Sequence, residues 1–312
     1  MKVLSLFDGL SGGQIALKRI GVKIDQYYAS EVDKYAITIA KKNNPEMVHL
    51  GDVTKWREWG LPWGEIDLLI GGSPCQGFSF AGKRLNFDDP RSRLFFVYVE
   101  ILEHIRALNP NVKFLLENVK MTKQSLDAIS ETLGVQPVFI NSSLVSAQNR
   151  QRYYWANWDI SQPADKGLVL ADIVEDGAVD RDKAHCIDAN YFKGGNLKSY
   201  FEKHRRQLVF SKDGLCEVGE ADLNGHDLVK RVYHPAGKSP TVNTMSGGNR
   251  EPKILVHPDK WRKLTPLECE RLQTVPEGYT EGVSNSQRYK MLGNGWTVDV
   301  IAHIFKEGLT ND

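Results

Sequence analysis

Cysteine is scarce in this chain of 312 residues. The four cysteines stand at positions 75, 186, 216 and 269, and no two form a Cys-x-x-Cys pair. Such a spread offers neither a structural zinc site nor a disulfide framework, and it points to reduced thiols in a cytosol. His185, His204, His226 and His234 are scattered, so no metal site is expected. Long apolar runs are missing too. Stretches such as Phe114–Leu116 and Ile66–Ile70 are far shorter than the roughly 20 residues that span a bilayer. The opening Met1-Lys2-Val3-Leu4-Ser5-Leu6-Phe7 breaks at Asp8, before a secretory core can form. Net charge is also lacking: 40 Lys and Arg face 39 Asp and Glu, a balance of +1. Any surface for a polyanion must therefore be local.

What remains is ordinary globular material, 41% hydrophobic and 25% charged, enough for a large core and about two domains. The first 160 residues alternate between strand and helix. Lys2–Phe7, Gln26–Ser30, Ile66–Ile70 and Val112–Leu116 read as strands. Gly12–Ile20, Lys34–Asn43, Ser92–Leu108 and Ser125–Leu133 read as helices. Alternation at this spacing predicts an α/β fold, a doubly wound and mostly parallel sheet covered on both faces. From Ser161 to about Val256 the chain is polar, glycine-studded and weakly periodic, an irregular and partly β module. Helical pattern returns at Pro266–Thr274, and Met291–Phe305 reads as a short loop and a helix. The expected architecture is a catalytic domain of residues 1–158 plus 257–312, interrupted by an insert at 159–256.

Chemistry concentrates at the expected carboxyl ends of the strands, where such sheets bind ligands. Phe7-Asp8-Gly9-Leu10-Ser11-Gly12-Gly13 joins the first strand to its helix, and its glycines let backbone approach a ligand. Glu31 ends the second strand and suits ribose hydroxyls; Asp52 follows a third and suits an adenine amine. An adenosine-containing ligand follows, whether a dinucleotide or S-adenosylmethionine. Cys75 stands in the Pro-flanked loop Gly71-Gly72-Ser73-Pro74-Cys75-Gln76-Gly77-Phe78-Ser79, a setting for attack rather than packing. The next strand ends in Glu117-Asn118-Val119, which would bring a carboxylic acid beside that thiol.

Five motifs in order then resemble those of the DNA cytosine-C5 methyltransferases: Pro74-Cys75-Gln76, Glu117-Asn118-Val119, Gln148-Asn149-Arg150-Gln151-Arg152, Arg262–Gln273 and Gly293-Asn294-Gly295. The resemblance covers all of the chain except the insert. Phe7-Asp8-Gly9 and Trp296-Thr297-Val298 look closer to phage members and to the vertebrate de novo enzymes. Two departures stand out. Ser11-Gly12 replaces a common glycine pair, and Val32 stands where many members stack an aromatic on adenine.

The resemblance implies a Rossmann-like methyltransferase fold that uses S-adenosylmethionine and releases S-adenosylhomocysteine. It implies Cys75 as nucleophile, Glu117 as acid, and Arg150 and Arg152 gripping the base. The cofactor would lie against Phe7, Asp8, Gly9, Ser11, Gly12, Glu31, Val32, Asp52, Val53, Pro74, Leu94, Asn294, Gly295 and Trp296. The partner would be double-stranded DNA, reached through Gln76, Ser79, Lys83, Arg84 and Arg93 near the nucleophile. Lys203, Arg205, Arg206, Thr241, Asn249 and Arg250 would serve from the insert, the target-recognition region. Residues 193–212 carry a net +5, with Tyr200, Phe201 and Phe210 interleaved, which suits phosphate contacts.

A monomer in the cytosol of a prokaryote or a phage-infected host is expected, with no membrane attachment; a separate restriction endonuclease is compatible with it. An RNA methyltransferase would share the motifs, but an insert of about 100 residues is long for members acting on tRNA. A catalytically silent DNA-binding regulator would not need Cys75, Glu117 and Arg152. A Rossmann dehydrogenase would leave Pro74-Cys75-Gln76 unexplained.

Overall fold

The computed structural model describes residues 1–73, 93–195, 197–211, 217–220, 231–233, 253–254 and 261–310. Pro74, Cys75, Gln76, Ser79, Lys83, Arg84, Thr241, Asn249 and Arg250 lie outside the described residues.

Alternation of side chains builds the central sheet. In β5 (Lys113–Val119), Phe114 and Leu116 face one side and Leu115 the other. The same split separates Leu4 and Leu6 from Val3 in β1 (Lys2–Leu6), and Leu69 from Leu68 and Ile70 in β4 (Leu68–Gly71). Both faces are apolar because both are covered. One carries α1 (Gly12–Arg19); the other carries α3 (Arg93–Leu108) and α4 (Lys123–Leu133). β2 (Gln26–Ser30), α2 (Lys34–Asn43) and β3 (Val48–Gly51) complete the first half.

The seven strands run in the order β3-β2-β1-β4-β5-β7-β6, and the first five are parallel. The expected doubly wound α/β sheet is therefore what forms. The far edge was not anticipated in detail. β6 (Val138–Asn141) and β7 (Gln151–Ala156) form an antiparallel pair, and β7 also runs antiparallel to β5. That reversal brings Arg152 opposite Val119, two places from Glu117 on the neighbouring strand.

Beyond β7 the chain does not leave the core at once. Leu170 and Ile173 of α5 (Leu170–Ile173), with Ala184, Ile187 and Tyr191, belong to the same apolar cluster as Val3 and Ile70. A separate small cluster gathers Tyr200 of α6 (Leu197–Lys203) with Leu208 and Phe210 of β8 (Leu208–Phe210). β9 (Glu217–Glu220), β10 (Arg231–Tyr233) and β11 (Lys253–Ile254) form a three-stranded sheet, and β12 (Trp261–Lys263) pairs with β8.

The C-terminal segment returns through α7 (Pro266–Leu272), α8 (Asn285–Asn294) and α9 (Val298–Leu309). Asp299 of α9 pairs with Arg19 of α1, and the Trp158 indole donates to the Ile304 carbonyl at 3.1 Å. Residues 291–294, expected as loop, are instead the last turn of α8. Tyr289, Met291 and Leu292 are buried there, and packing overrides the glycine.

Gly293 has a specific reason to be glycine. A Cβ there would sit 2.2 Å from the main-chain carbon of Asp188. Helix propensity alone would favour alanine by about 1 kcal/mol. Backbone cannot swing aside as a side chain can, so the clash should win. Gly293→Ala should lose about 3 kcal/mol in urea unfolding, toward the upper end of overpacking costs. A variant at least as stable as the parent would contradict this packing.

Candidate active site

Three loops at the carboxyl ends of β1, β2 and β3, together with β5, β7 and the turn after α8, enclose a cleft of about 490 Å³. The first loop is strained. Phe7 and Ser11 adopt left-handed backbone at φ 58° and 65°, where only glycine is at ease, as Gly9 is at φ 59°. Each such non-glycine residue costs about 1–2 kcal/mol. The loop is held by Asp8, whose side chain accepts from Tyr27 Oη at 2.8 Å and from Ser11 Oγ, and by Gly9 N–H donating to Glu31 at 2.8 Å. Burial raises the Asp8 carboxyl to about 6 from its usual value near 3.8, against the opposing hydrogen bonds from Ser11, Ser5 and Tyr27.

Glu31 holds more backbone than expected. Besides Gly9, it accepts from the N–H groups of Val32 at 2.7 Å and Asp33 at 2.9 Å. It still lines the cleft. Asp52 caps the turn that follows it. Its Oδ1 accepts from Thr54 N and Thr54 Oγ1, both at 2.9 Å, and these bonds hold its carboxyl below the usual range. Among the described residues, its other oxygen has no partner. Val32 is 71% exposed, a bare apolar surface on the cleft wall.

Of the fourteen residues expected at the cofactor, twelve line this cleft: Phe7, Asp8, Gly9, Gly12, Glu31, Val32, Asp52, Val53, Leu94, Asn294, Gly295 and Trp296. Pro74 lies outside the described residues. Ser11 does not line the cleft. It is fully buried behind it, and its hydroxyl serves Asp8 instead of a ligand. Sequence reading missed Ser30, Ala36, Gly72 and Ser73 on the wall. Small, chemically plain residues carry no signal of their own, although adjacency to the motifs would have found them.

Glu117 stands on the same cleft. Arg152 Nε meets its Oε1 at 2.8 Å, and Trp296 Nε1 donates to its Oε2 at 3.0 Å. The Asn118 side chain beside it donates at 3.3 Å to the Ser73 carbonyl, tying β5 to the segment leading to Cys75.

Arg150 differs from expectation. It is 3% exposed, and its Nη groups donate to Ile187 O at 3.1 Å, Gly293 O at 3.1 Å, Gly295 O at 2.7 Å and Cys186 Sγ at 3.2 Å. All four Nη hydrogens are occupied within the chain, so Arg150 ties these segments together at the cleft wall, which it also lines. Burial, followed by the nearby Arg152 charge, pulls its guanidinium below the ordinary value. Gln148 donates to Leu272 O and Gln273 Oε1, and Gln273 donates in turn to Leu292 O and Gly295 O.

On the insert side, Arg205 pairs with Asp188 at 2.8 Å, and Arg206 reaches back to Lys193 O at 3.4 Å. Lys203 and Arg93 are exposed. Fewer of these cations are unengaged than the charge count suggests. Among the described residues, no cluster of His, Cys, Asp and Glu is arranged for a metal, and no helix is long and apolar enough to cross a membrane.

A cleft at the carboxyl ends of parallel strands that also holds a carboxylate–arginine pair has the form of an enzyme's ligand site. The family model of the C-5 cytosine-specific DNA methylases matches residues 1–309. The type II methyltransferase M1.ScrFI of Lactococcus lactis subsp. cremoris is 31% identical over 99% of this chain and 78% of its own. M.HpaII of Haemophilus parainfluenzae is 30% identical over 96% and 86%. The orphan methyltransferase M.SPRI of Bacillus phage SPR is 29% identical over 98% and 97%. In fold, the chain is similar to the Entamoeba histolytica methyltransferase EhMeth, with a TM-score of 0.67, 15% identity and coverage of 98% and 97%. It is also similar to Spodoptera frugiperda DNMT2, with a TM-score of 0.61, 20% identity and 98% of both chains covered. The chain belongs to the C-5 cytosine-specific DNA methylase family and is an enzyme of that class.

Two outcomes follow from this geometry. Arg150→Ala would leave three main-chain carbonyls without their buried donor, and should cost about 3–5 kcal/mol in chemical unfolding. Arg205→Ala, in an exposed pair with Asp188, should cost less than about 1 kcal/mol. Equal losses would refute this role for Arg150. The second outcome concerns Asp8, which binds its proton more tightly folded than unfolded. Stability therefore falls as pH rises from about 4 to 6, and the cost is full above that window. Asp8→Asn removes it. Its stability advantage over the parent should be up to about 3 kcal/mol larger at pH 8 than at pH 4. An equal difference at both pH values would show that Asp8 is not strained by burial.

Proposed function

We propose that the enzyme transfers a methyl group from S-adenosylmethionine to C5 of a cytosine flipped out of duplex DNA, at a specific short sequence, through a covalent bond between Cys75 and C6. One observation carries this reading. A single cleft joins the nucleotide-side residues Glu31, Val32 and Asp52 to the Glu117–Arg152 pair, so donor and base would meet in one space.

The residues present fit the cofactor. The unpartnered Asp52 oxygen suits the adenine amine. Glu31 keeps acceptor capacity for a ribose hydroxyl, and Val32 with Val53 and Phe7 offers apolar surface to the ring. When bound, the group supplies an electrophilic sulfonium methyl.

The remaining work falls to the chain. Cytosine C5 is a poor nucleophile until a thiolate adds to C6 and makes the ring an enamine. Cys75 follows Ser73 by two residues, and two residues of chain reach no further than about 7 Å. Ser73 is itself held against Asn118, next to Glu117. Glu117, protonated, donates to N3 as the thiolate adds. The carboxylate left behind is met by Arg152 and by the Trp296 indole, two donors that favour the charge formed. After methyl transfer a solvent base takes the C5 proton, the electrons of that bond restore the C5–C6 double bond and expel Cys75 as a thiolate, and N3 returns its proton to Glu117.

The base must leave the duplex first, at a cost of a few kcal/mol. We assign residues 1–158 and 257–312 to catalysis and the insert to target choice. Its small cluster around Tyr200 is separate from the main core, while residues 170–191 anchor it. Lys203 and Arg93 are assigned to phosphate.

An oligonucleotide pool carrying 5-fluorocytosine tests the mechanism, since fluorine cannot leave C5 as a proton does. The parent enzyme should form an adduct stable to denaturing electrophoresis, and Cys75→Ser should form none while keeping its fold. An adduct with Cys75→Ser would sink the assignment.

A further inference from the structure

The Trp296 indole is placed more pointedly than a cofactor wall requires. Its Nε1 stands 3.0 Å from Glu117 Oε2, while Arg152 Nε holds Oε1 at 2.8 Å. The carboxyl group is thus pinned at both oxygens from opposite elements, β7 and the turn between α8 and α9. The ring has little room to leave. It lies over the start of α1, where a Cβ on Gly13 would meet the ring at 3.5 Å and one on Gly12 would meet the Trp296 Cβ at 3.8 Å. A Cβ on Gly72, just past β4, would sit 2.9 Å from Glu117 Oε2 and 3.0 Å from Trp296 Nε1. The seat therefore exists only because position 72 has no side chain. A Trp whose ring merely filled space would not need its N–H aimed at a carboxylate through that gap.

We propose that Trp296 is a positioning residue for Glu117. Its indole N–H fixes Oε2, so the carboxyl plane is set and the proton is presented to the base from a single orientation. This rests on the reading of Glu117 as the acid. The N–H also favours the carboxylate that remains after the proton has gone, because a hydrogen bond to the charged form stabilises it. The other groups facing Glu117 are the guanidinium groups of Arg152 and Arg150 and the Tyr154 phenol, all of them on or beside β7. Among the described residues, Trp296 is the uncharged group with a hydrogen bond to Glu117, whereas the Tyr154 phenol faces it without one. The indole sets direction without adding a second positive charge against Arg152. Arg152 alone would leave the carboxyl free to rotate about the bond to that one oxygen. The glycine loop of β1 and the acid are also joined through this ring, so one residue touches the wall of the cofactor cleft and the proton donor together.

The test uses the full-length enzyme, unmethylated genomic DNA of mixed sequence and tritiated S-adenosylmethionine, with turnover measured from pH 5.5 to 9. Trp296→Phe keeps a ring and removes the donor. The expected result is a kcat about tenfold lower at pH 7.5, an upward move of about half to one pH unit in the limb where activity falls with rising pH, and a cofactor Kd within about twofold of the parent. If Phe destabilises the fold, benzothienylalanine at position 296 keeps the bicycle and removes the N–H alone. A raised cofactor Kd or KM with kcat and the limb unmoved would make Trp296 a cofactor wall only, and would overturn the proposal. So would an unchanged enzyme. Glu117→Gln separates the two layers. If it keeps parental turnover, the acid reading itself fails. If it is severely impaired while Trp296→Phe behaves as the parent, the acid stands and the positioning role fails.

Discussion

A buried guanidinium holds this molecule's site together. Arg150 sits at the start of β7 and donates to the main chain of the insert at Ile187 and of the C-terminal turn at Gly293 and Gly295. Three stretches of chain far apart in sequence meet on one side chain. Burying a charge is unfavourable unless every donor finds an acceptor, and main-chain carbonyls are the acceptors that turns expose. The neighbouring Gln148–Gln273–Thr297 bonds extend the same logic, with Thr297 Oγ1 donating to Gln273 Oε1 at 2.9 Å. Two glutamines, a threonine and an arginine thereby form a satisfied polar seam between the sheet and the returning chain.

What the seam positions is the second tier. Gly295 precedes Trp296, so fixing the Gly295 carbonyl fixes where the indole begins. The indole then reaches Glu117 across the hollow left by Gly72. On the other side, the antiparallel placement of β7 gives Arg152 to the same carboxylate. Strain is concentrated in the β1 loop, where Phe7 and Ser11 are left-handed and the half-buried Asp8 carboxyl is raised. Such strain persists because surrounding bonds over-determine it, and sites that must present backbone to a ligand are where it is found.

The two arginines of the Gln-x-Arg-x-Arg motif show why spacing informs less about role than about presence. Positions 150 and 152 point to the same side in a regular strand, which suggests a shared task. Arg150, however, precedes the first paired residue of β7, at Gln151, and turns into the core. Arg152 lies within the ladder and pairs with Glu117; both arginines reach the cleft wall, but the Nη groups of Arg150 are spent on distant main chain. Likewise, the net +5 of residues 193–212 suits phosphate contacts, while Arg205 and Arg206 are engaged by Asp188 and by Lys193 O. Counting charges cannot see a carboxylate or a carbonyl that folding brings alongside.

The sequence alone settled the alternating α/β core, because period-2 and period-3.6 patterns are local and each strand or helix carries its own. It also settled the family, since five short motifs in order survive any rearrangement of loops. Glu31, Asp52 and Glu117 were legible as candidates because each stands at or near the carboxyl end of a strand whose pattern is local, and all three line the cleft. The structure alone decided the antiparallel edge, the helical state of residues 291–294, the tying role of Arg150 and the aim of the Trp296 indole. Each of these depends on which distant segment arrives beside a residue. That arrival is set by burial summed over the whole core, a sum no local window contains.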